Sequence, residues 1–283
     1  MFILLYFLSL ISLLSTSDFF LFWVLIEIRM LLFIGFCFRS FTTGYSSLVL
    51  YFLIQTLSSF SLFVFYFSNL TFFMSFFLAL KLSLFPFHFW FLSVIYKFSN
   101  FALFLSCSLH KLPSFLLFFL FSSSFSLSSV LLLGLISIFV ASSVIVSTTD
   151  LRFFLLASSV GNNVWFLLSS LHSFLLLISF LAVYSIIFIS LVNCLSSTLF
   201  FFSTQRSTSS ILVFSFLLVV LSGFPPFPIF FAKLLIVLNT ITCLSLSFLI
   251  TFMAMSSLLI AGYFRFLLSF YVYRLSSFLF YLH

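Results

Sequence analysis

One carboxylate and three amines stand inside apolar runs of this sequence. They are Glu27 in "FWVLIEIRMLLF", Lys81 in "LALKLSLFPFHFW", Lys111 in "SCSLHKLPSF" and Lys233 in "FPPFPIFFAKLL". Carboxylates and amines are groups that hold, release and pass protons. An ionisable group at the centre of a membrane span costs about 2.5–3.5 kcal/mol on insertion scales, so such residues are rare there and mark ion or proton paths. Snorkelling to the interface relieves that cost only near span ends. Glu27, Lys81 and Lys111 lie too far inside their runs for that escape and are expected to face protein or a hydrated cavity.

Every one of these lysines has a helix breaker close by. Pro86 follows Lys81, Pro113 follows Lys111, and Gly223, Pro225, Pro226 and Pro228 precede Lys233. Proline lacks an N–H, so Pro86 frees the carbonyl of Leu82 and Pro113 that of Leu109. Broken helices at membrane depth are tolerated where they are buried in protein or line water, and they mark transport paths. A freed carbonyl and local water favour the charged amine while apolar neighbours oppose it, so a lysine between those pressures can gain and lose a proton. His88 and His110, beside the first two breaks, are candidates for relay or support; the alternative for His88 is donation to a carbonyl of its broken helix. A buried Lys–Glu pair can also be a structural staple. Four such groups on four spans, three beside breakers, favour a path.

Composition says which elements must position these groups. The chain of 283 residues is 65% hydrophobic and 5% charged, whereas a soluble domain carries roughly a quarter charged residues. The fold class is therefore all-α, a polytopic transmembrane helix bundle, read as a single transmembrane domain over residues 1–283. Ten Lys+Arg against three Asp+Glu are scattered singly, which excludes a nucleic-acid patch. Cys37, Cys107, Cys194 and Cys243 are far apart in apolar context and read as small core residues. His88, His110, His172 and His283 do not supply the two pairs that stacked haems would need, and no phosphate loop or catalytic triad appears. No cofactor or metal is expected on the chain itself. The first residues, "MFILLYFLSLISLLS", lack the marks of a signal or transit peptide and read as a first span. Heavy use of Phe, Leu, Ser, Ile and Val suggests a gene with thymine-rich codon bias, as in organelle genomes.

Polar breaks predict about eleven spans, at 2–16, 19–37, 46–68, 70–95, 99–121, 128–147, 150–170, 173–197, 209–236, 240–262 and 266–282. Helix breaks are expected near Pro86 and Pro225–Pro228. The connections after even-numbered spans then contain Arg39, Lys97, Arg152, Arg206 and Arg265. Those after odd-numbered spans contain Asp18, Asn69, a Ser-rich run, His172 and Asn239, with no Lys or Arg. All basic loop residues fall on one side, which the positive-inside rule assigns, with the N-terminus, to the compartment of synthesis. Arg29, two residues from Glu27, points to a different helix face and is expected to meet a lipid headgroup or a partner as readily as a functional group. Arg274 is expected to snorkel. Trp23, Trp90 and Trp165 read as core or interface residues, and His172 and His283 as interfacial.

At these residues the sequence resembles the antiporter-like subunit 2 family of respiratory complex I, the mitochondrial NADH:ubiquinone oxidoreductase. "FWVLIEI" (22–28), "YFLIQTLSSF" (51–60), "LKLSLFPFHFWF" (80–91), "HKLPSF" (110–115), "DLRFFLLASSVGNNVW" (150–165) and "SGFPPFPIFFAKLLI" (222–236) follow in order over nearly the whole chain. The Lys-x-x-x-x-Pro-Phe-His-Phe-Trp run is the most specific of them. The resemblance implies a fold of fourteen ancestral spans that in animals lacks the first three. It also implies a mid-membrane charged axis, matched here by Glu27, Lys81, Lys111 and Lys233. Electron transfer from NADH to ubiquinone would be coupled to proton translocation across the mitochondrial inner membrane, with the N-terminus on the matrix side. NADH, FMN, iron–sulfur clusters and ubiquinone would belong to the whole complex and none to this chain. Its partners would be other membrane-arm subunits, including related antiporter-like subunits, and membrane lipids, with no nucleic acid. The chain departs from the family at Arg29, where the family has Asn, at Leu92-Ser93, where it has Pro-Glu, and at a shortened "VSTTD". A scaffold subunit without a pumping role and a free-standing cation/proton antiporter are the alternative readings.

Overall fold

In the computed structural model, residues 2–39, 45–200, 208–241 and 244–280 are described, the side chains at 2, 39, 195–200, 208–211 and 270–280 excepted. Arg206, Cys243 and His283, and the side chains of Arg39 and Arg274, lie outside the described residues. Among the described residues every regular element is helical. The chain runs α1 (Phe2–Leu14), α2 (Phe19–Arg39), α3 (Tyr45–Phe67), α4 (Thr71–Lys81), α5 (His88–Ile95), α6 (Asn100–Cys107), α7 (Leu112–Leu120) and α8 (Leu127–Ser147). It continues as α9 (Leu151–His172), α10 (Phe174–Phe200), α11 (Thr208–Ser222), α12 (Pro228–Thr240) and α13 (Leu246–Phe280). Seven stretches are long and apolar enough to cross a membrane, and shorter apolar helices fill the intervals between them. This is a multi-pass membrane protein.

Three expected spans are broken into half-helices, and each break has a local cause. α4 ends as Leu84 N–H donates back to the Ala79 carbonyl at 2.8 Å. Ser83 there takes the left-handed conformation, φ 57°, the arrangement of a Schellman cap. Pro86 then keeps the helix from resuming until His88. α6 and α7 are separated by a 3-10 turn at Leu109–Lys111, and Pro113 sits in the first turn of α7, where its missing N–H costs nothing. α11 stops at Ser222; Gly223 has φ 77°, and Pro228 opens α12.

The central element is α9, buried along nearly its whole length. Tight helix contacts bring its neighbours in. A Cβ on Gly161 would lie 2.8 Å from Leu259 Cδ1, one on Gly262 would lie 2.8 Å from Ile145 Cγ2, and one on Gly134 would lie 3.1 Å from Val164 Cγ1. Small residues let backbones approach closely where lipid offers no hydrophobic drive, and here they lock α8, α9 and α13 together.

One expectation fails. The sequence predicts two spans, 240–262 and 266–282, separated at Arg265; the structure has a single helix, α13, of 35 residues. At 1.5 Å per residue it is about 52 Å long, well beyond the hydrocarbon core. Arg265 lies within it, donating to the Val146 carbonyl at 2.6 Å. Arginine is a good helix former, and nothing near Arg265 stops a helix. A lone charge was too weak a signal for a break. α12 also runs to Thr240, taking Asn239 into the helix.

The one-sided distribution of basic residues does gain support. Arg152 donates to Asn100 Oδ1 at 2.6 Å and to the Tyr96 carbonyl at 3.4 Å, next to Lys97. Arg265, bonded to the end of α8, joins the same end of the bundle. At the other end, Ser75, Ser126 and Ser129 form a hydroxyl cluster.

Candidate proton-transfer site

The interior charges meet at the breaks. A small enclosed cavity of about 10 Å³ is lined by Glu27 and Arg29 from α2, Gln55 from α3, Lys81 at the end of α4, and His110 and Ser114 around the α6–α7 break. That is room for about one water molecule. Lys81 occupies the last turn of α4, where the negative end of the helix dipole favours a cation. Glu27 and Lys81 share the cavity without forming a contact ion pair, and Glu27 Oε1 is buried with no protein partner. The expected pairing is thus one through the cavity rather than a direct salt bridge.

Carbonyls that proline leaves without helical partners are satisfied by polar side chains. The Leu82 carbonyl accepts from Asn163 Nδ2 at 2.7 Å. The Leu109 carbonyl accepts from Arg29 Nη2 at 2.7 Å. The Ser222 carbonyl, four residues before Pro226, accepts from Lys233 Nζ at 3.5 Å. The Leu82 and Ser222 carbonyls lie at the C-terminal end of the first half of a broken helix, where orphan carbonyls and the dipole both favour donors and cations, and that of Leu109 lies in the 3-10 turn between the two halves.

Lys111 is 5% exposed. Its ammonium donates to Asn163 Oδ1 at 3.0 Å and to Ser159 Oγ at 3.4 Å, and lies 4.3 Å from the centre of the Phe91 ring. Asn163 therefore bridges the first two breaks. Its amide nitrogen holds the carbonyl of Leu82, next to Lys81, and its oxygen receives Lys111. Lys233 lies across α9, 5.2 Å from the centre of the Trp165 ring. Among the described residues, protein hydrogen bonds do not join Lys111 to Lys233.

Of the two courses the sequence left open for Arg29, a lipid or partner contact or a place among the interior groups, the structure shows the second. It is 1% exposed, with its Cζ 4.4 Å from the centre of the Tyr6 ring and Nη2 donating to Tyr6 Oη at 3.0 Å. The short α1 packs on α2 here and closes this face to lipid. Tyr6 Oη lies 3.3 Å from His110 Nδ1. Guanidinium is a donor only, so Tyr6 Oη accepts from Arg29, and Tyr6 Oη and His110 Nδ1 share the next hydrogen bond. His110 thus lines the cavity beside Lys81.

His88 does not donate to a carbonyl of the broken helix. It is 3% exposed with neither ring nitrogen partnered in the protein, and its ring packs on Phe89 with centroids 3.9 Å apart. It does not line the cavity that His110 lines. Trp23 and Trp165 are packed in the bundle, Trp23 Nε1 donating to the Ser59 carbonyl at 2.8 Å and Trp165 meeting Phe252 edge-on. Sequence reasoning missed Tyr6, Gln55, Ser159 and Asn163 as members of the site. The amides carried a usable signal, since Gln55 and the Asn162–Asn163 pair are polar groups inside apolar helices.

Gly223 fixes the third break. A Cβ there would lie 3.2 Å from Lys233 Nζ and 3.3 Å from Ile229 Cγ2, at a φ of 77°. Gly223→Ala is expected to cost about 1–2 kcal/mol from the left-handed backbone and to push the Lys233 ammonium off the Ser222 carbonyl. Unfolding of the full chain in lipid, compared with the native sequence, checks this.

No protein-family model matches the chain. Among curated proteins it is 33% identical over 193 residues to the NADH-ubiquinone oxidoreductase chain 2 of Strongylocentrotus purpuratus, covering 65% of this chain and 52% of that protein. It is 29% identical over 188 residues to the protein of the same name from Latimeria chalumnae, covering 64% and 54%. The chain spans about half the length of the curated relatives it matches. Among solved structures, a chain of respiratory complex I from Thermus thermophilus with bound aureothin aligns with a TM-score of 0.68 at 16% identity, covering 86% of this chain and 64% of that one. A chain of the Mrp complex from a Dietzia species aligns with a TM-score of 0.76 at 18% identity, covering 94% and 59%. The fold is thus shared with a chain of each of these two assemblies, and by sequence the chain is similar to NADH-ubiquinone oxidoreductase chain 2.

Proposed function

We propose that this chain is a membrane-arm subunit of a proton-translocating NADH:ubiquinone oxidoreductase, seated in the mitochondrial inner membrane with its basic end and N-terminus towards the matrix. NADH, FMN, iron–sulfur clusters and ubiquinone are held elsewhere in that enzyme, and other antiporter-like subunits and lipids surround this one. The observation that carries the reading is the convergence of Glu27, Lys81 and His110 on one buried cavity, with Lys111 tied to the residue after Lys81 through Asn163.

In this account Glu27 stabilises protonated Lys81 across the cavity. When redox chemistry elsewhere in the enzyme changes the charge around the cavity, Lys81 gives up its proton. At low effective dielectric, unit charges a few ångströms apart interact by several kcal/mol, enough to drive transfer. His110 and cavity water receive the proton, and Lys111 and then Lys233 pass it on, water carrying it around α9. Asn163 and Ser159 hold Lys111 in place between transfers. This chain performs no redox step.

The likeness to the Mrp complex chain favours one rival, a cation/proton antiporter outside any NADH-oxidising enzyme. Native-gel separation of mitochondrial membranes, with this chain detected by antibody, decides between them. Migration with NADH dehydrogenase activity in one very large assembly is the expected result. Migration without that activity supports the antiporter.

A further inference from the structure

Arg29 is a charge that the lysine path does not use. It is enclosed, it stands where the resembling family has Asn, and it lines the same cavity as Glu27. One of its nitrogens is spent on Tyr6 and the Leu109 carbonyl. Nε and Nη1 are buried with no partner in the protein, and so is Glu27 Oε1. Arg29 and Glu27, which carry these two orphan donors and this orphan acceptor, both line a space of about 10 Å³. A buried water needs about that much room and two to four polar partners.

The charge balance gives this arrangement a purpose. If Lys81 were the sole counter-ion of Glu27, losing its proton would strand a carboxylate in the membrane interior, a costly state. Guanidinium cannot be deprotonated in proteins, so its charge remains when Lys81 is neutral. Around the cavity the other groups are neutral or amine: His110 from the break, Gln55 from α3, and Tyr6 from α1 bonded to both Arg29 and His110.

We propose that Arg29 is the fixed counter-ion of Glu27, joined to it through one water molecule bound in the cavity, and that this frees Lys81 to lose its proton. Its purpose rests on the proton-path reading above, but its geometry does not. Arg29 is a positioning residue: through the water it holds the carboxylate, and through the Leu109 carbonyl it holds the break that carries His110 and Lys111.

The protonation state of Glu27 tests this independently of pumping. The chain has three acidic side chains, Asp18, Glu27 and Asp150, so infrared spectra of the full chain in lipid nanodiscs, with Glu27→Gln as the subtraction control, report Glu27 by itself. At neutral pH the native chain and Lys81→Met both show a Glu27 carboxylate. Arg29→Gln loses that carboxylate band and gains a carboxylic-acid band, and Arg29→Lys, which keeps the charge, restores the carboxylate. A carboxylic-acid band in Lys81→Met would make Lys81 the counter-ion and overturn the proposal, as would an unchanged carboxylate in Arg29→Gln. Should Arg29→Gln fail to fold, as judged by helical circular dichroism, the Lys81→Met spectrum decides alone. None of these bands depends on the enzyme pumping, so failure of the proton-path reading would leave them as they are.

Discussion

In the assembled enzyme, Lys81→Met is expected to cut NADH:ubiquinone turnover tenfold or more while the complex still assembles. Loss of a proton-transfer group commonly costs about 10²–10⁴ in rate, and the smaller figure allows for leakage through cavity water. Methionine is chosen because it fills the space of the lysine stem and removes a buried charge instead of creating one. Replacing a buried charged pair by apolar groups is often tolerated, whereas leaving one partner alone is not; here Arg29 remains beside Glu27. Lys97→Met, at the basic end of the bundle, is the control and leaves turnover unchanged. Turnover in purified assembly of matched subunit content makes the comparison, and equal rates for the two variants would remove Lys81 from the path.

Asn163→Leu is expected to be the most damaging single change that alters no charge. Asn163 is 0% exposed, receives the Lys111 ammonium and donates to the Leu82 carbonyl. A hydrogen bond to a charged group contributes about 1.5–3 kcal/mol and an unsatisfied buried carbonyl costs about 1–3 kcal/mol. Side-chain hydrogen bonds inside membrane bundles average nearer 0.6 kcal/mol, and Ser83 also donates to Leu82, so the expected loss is about 2–4 kcal/mol. Denaturant titration of the full chain in mixed micelles measures it. Asn163→Asp separates stability from function. Its carboxylate would accept from Lys111 as an ion pair, offsetting the lost donor to the Leu82 carbonyl, and by holding the Lys111 proton it would stall turnover. If Asn163→Asp turned over normally, Asn163 would be a structural bridge alone.

Much of the site was legible in the sequence because charge in an apolar run is a loud signal, and so is proline. Lys81, Lys111 and Lys233 beside their breakers, and the carbonyls of Leu82 and Leu109, were read from spacing; in three dimensions Lys81 lines the cavity and the other four have polar partners. What spacing could not supply is which helix reaches across to satisfy them. The Leu82 carbonyl is met by Asn163, 81 positions away, and the Leu109 carbonyl by Arg29, 80 positions away. Arg29 was left open between a lipid or partner contact and a functional role because two residues along a helix is a large turn from Glu27. That turn does not keep the two apart, since both line the same cavity, and α1, with Tyr6, covers Arg29. Arg265 misled in the opposite way: it was taken for a loop charge, yet an arginine can lie along a helix and bond a neighbouring helix end, as it does with Val146.

The central claim is that protons cross this chain through Lys81, and the number of protons moved per electron tests it most directly. In sealed membrane vesicles, the residual turnover of Lys81→Met should translocate fewer protons per electron than the native enzyme, with the Lys97→Met ratio unchanged. A native ratio in Lys81→Met at native turnover would contradict the account and leave the chain a scaffold.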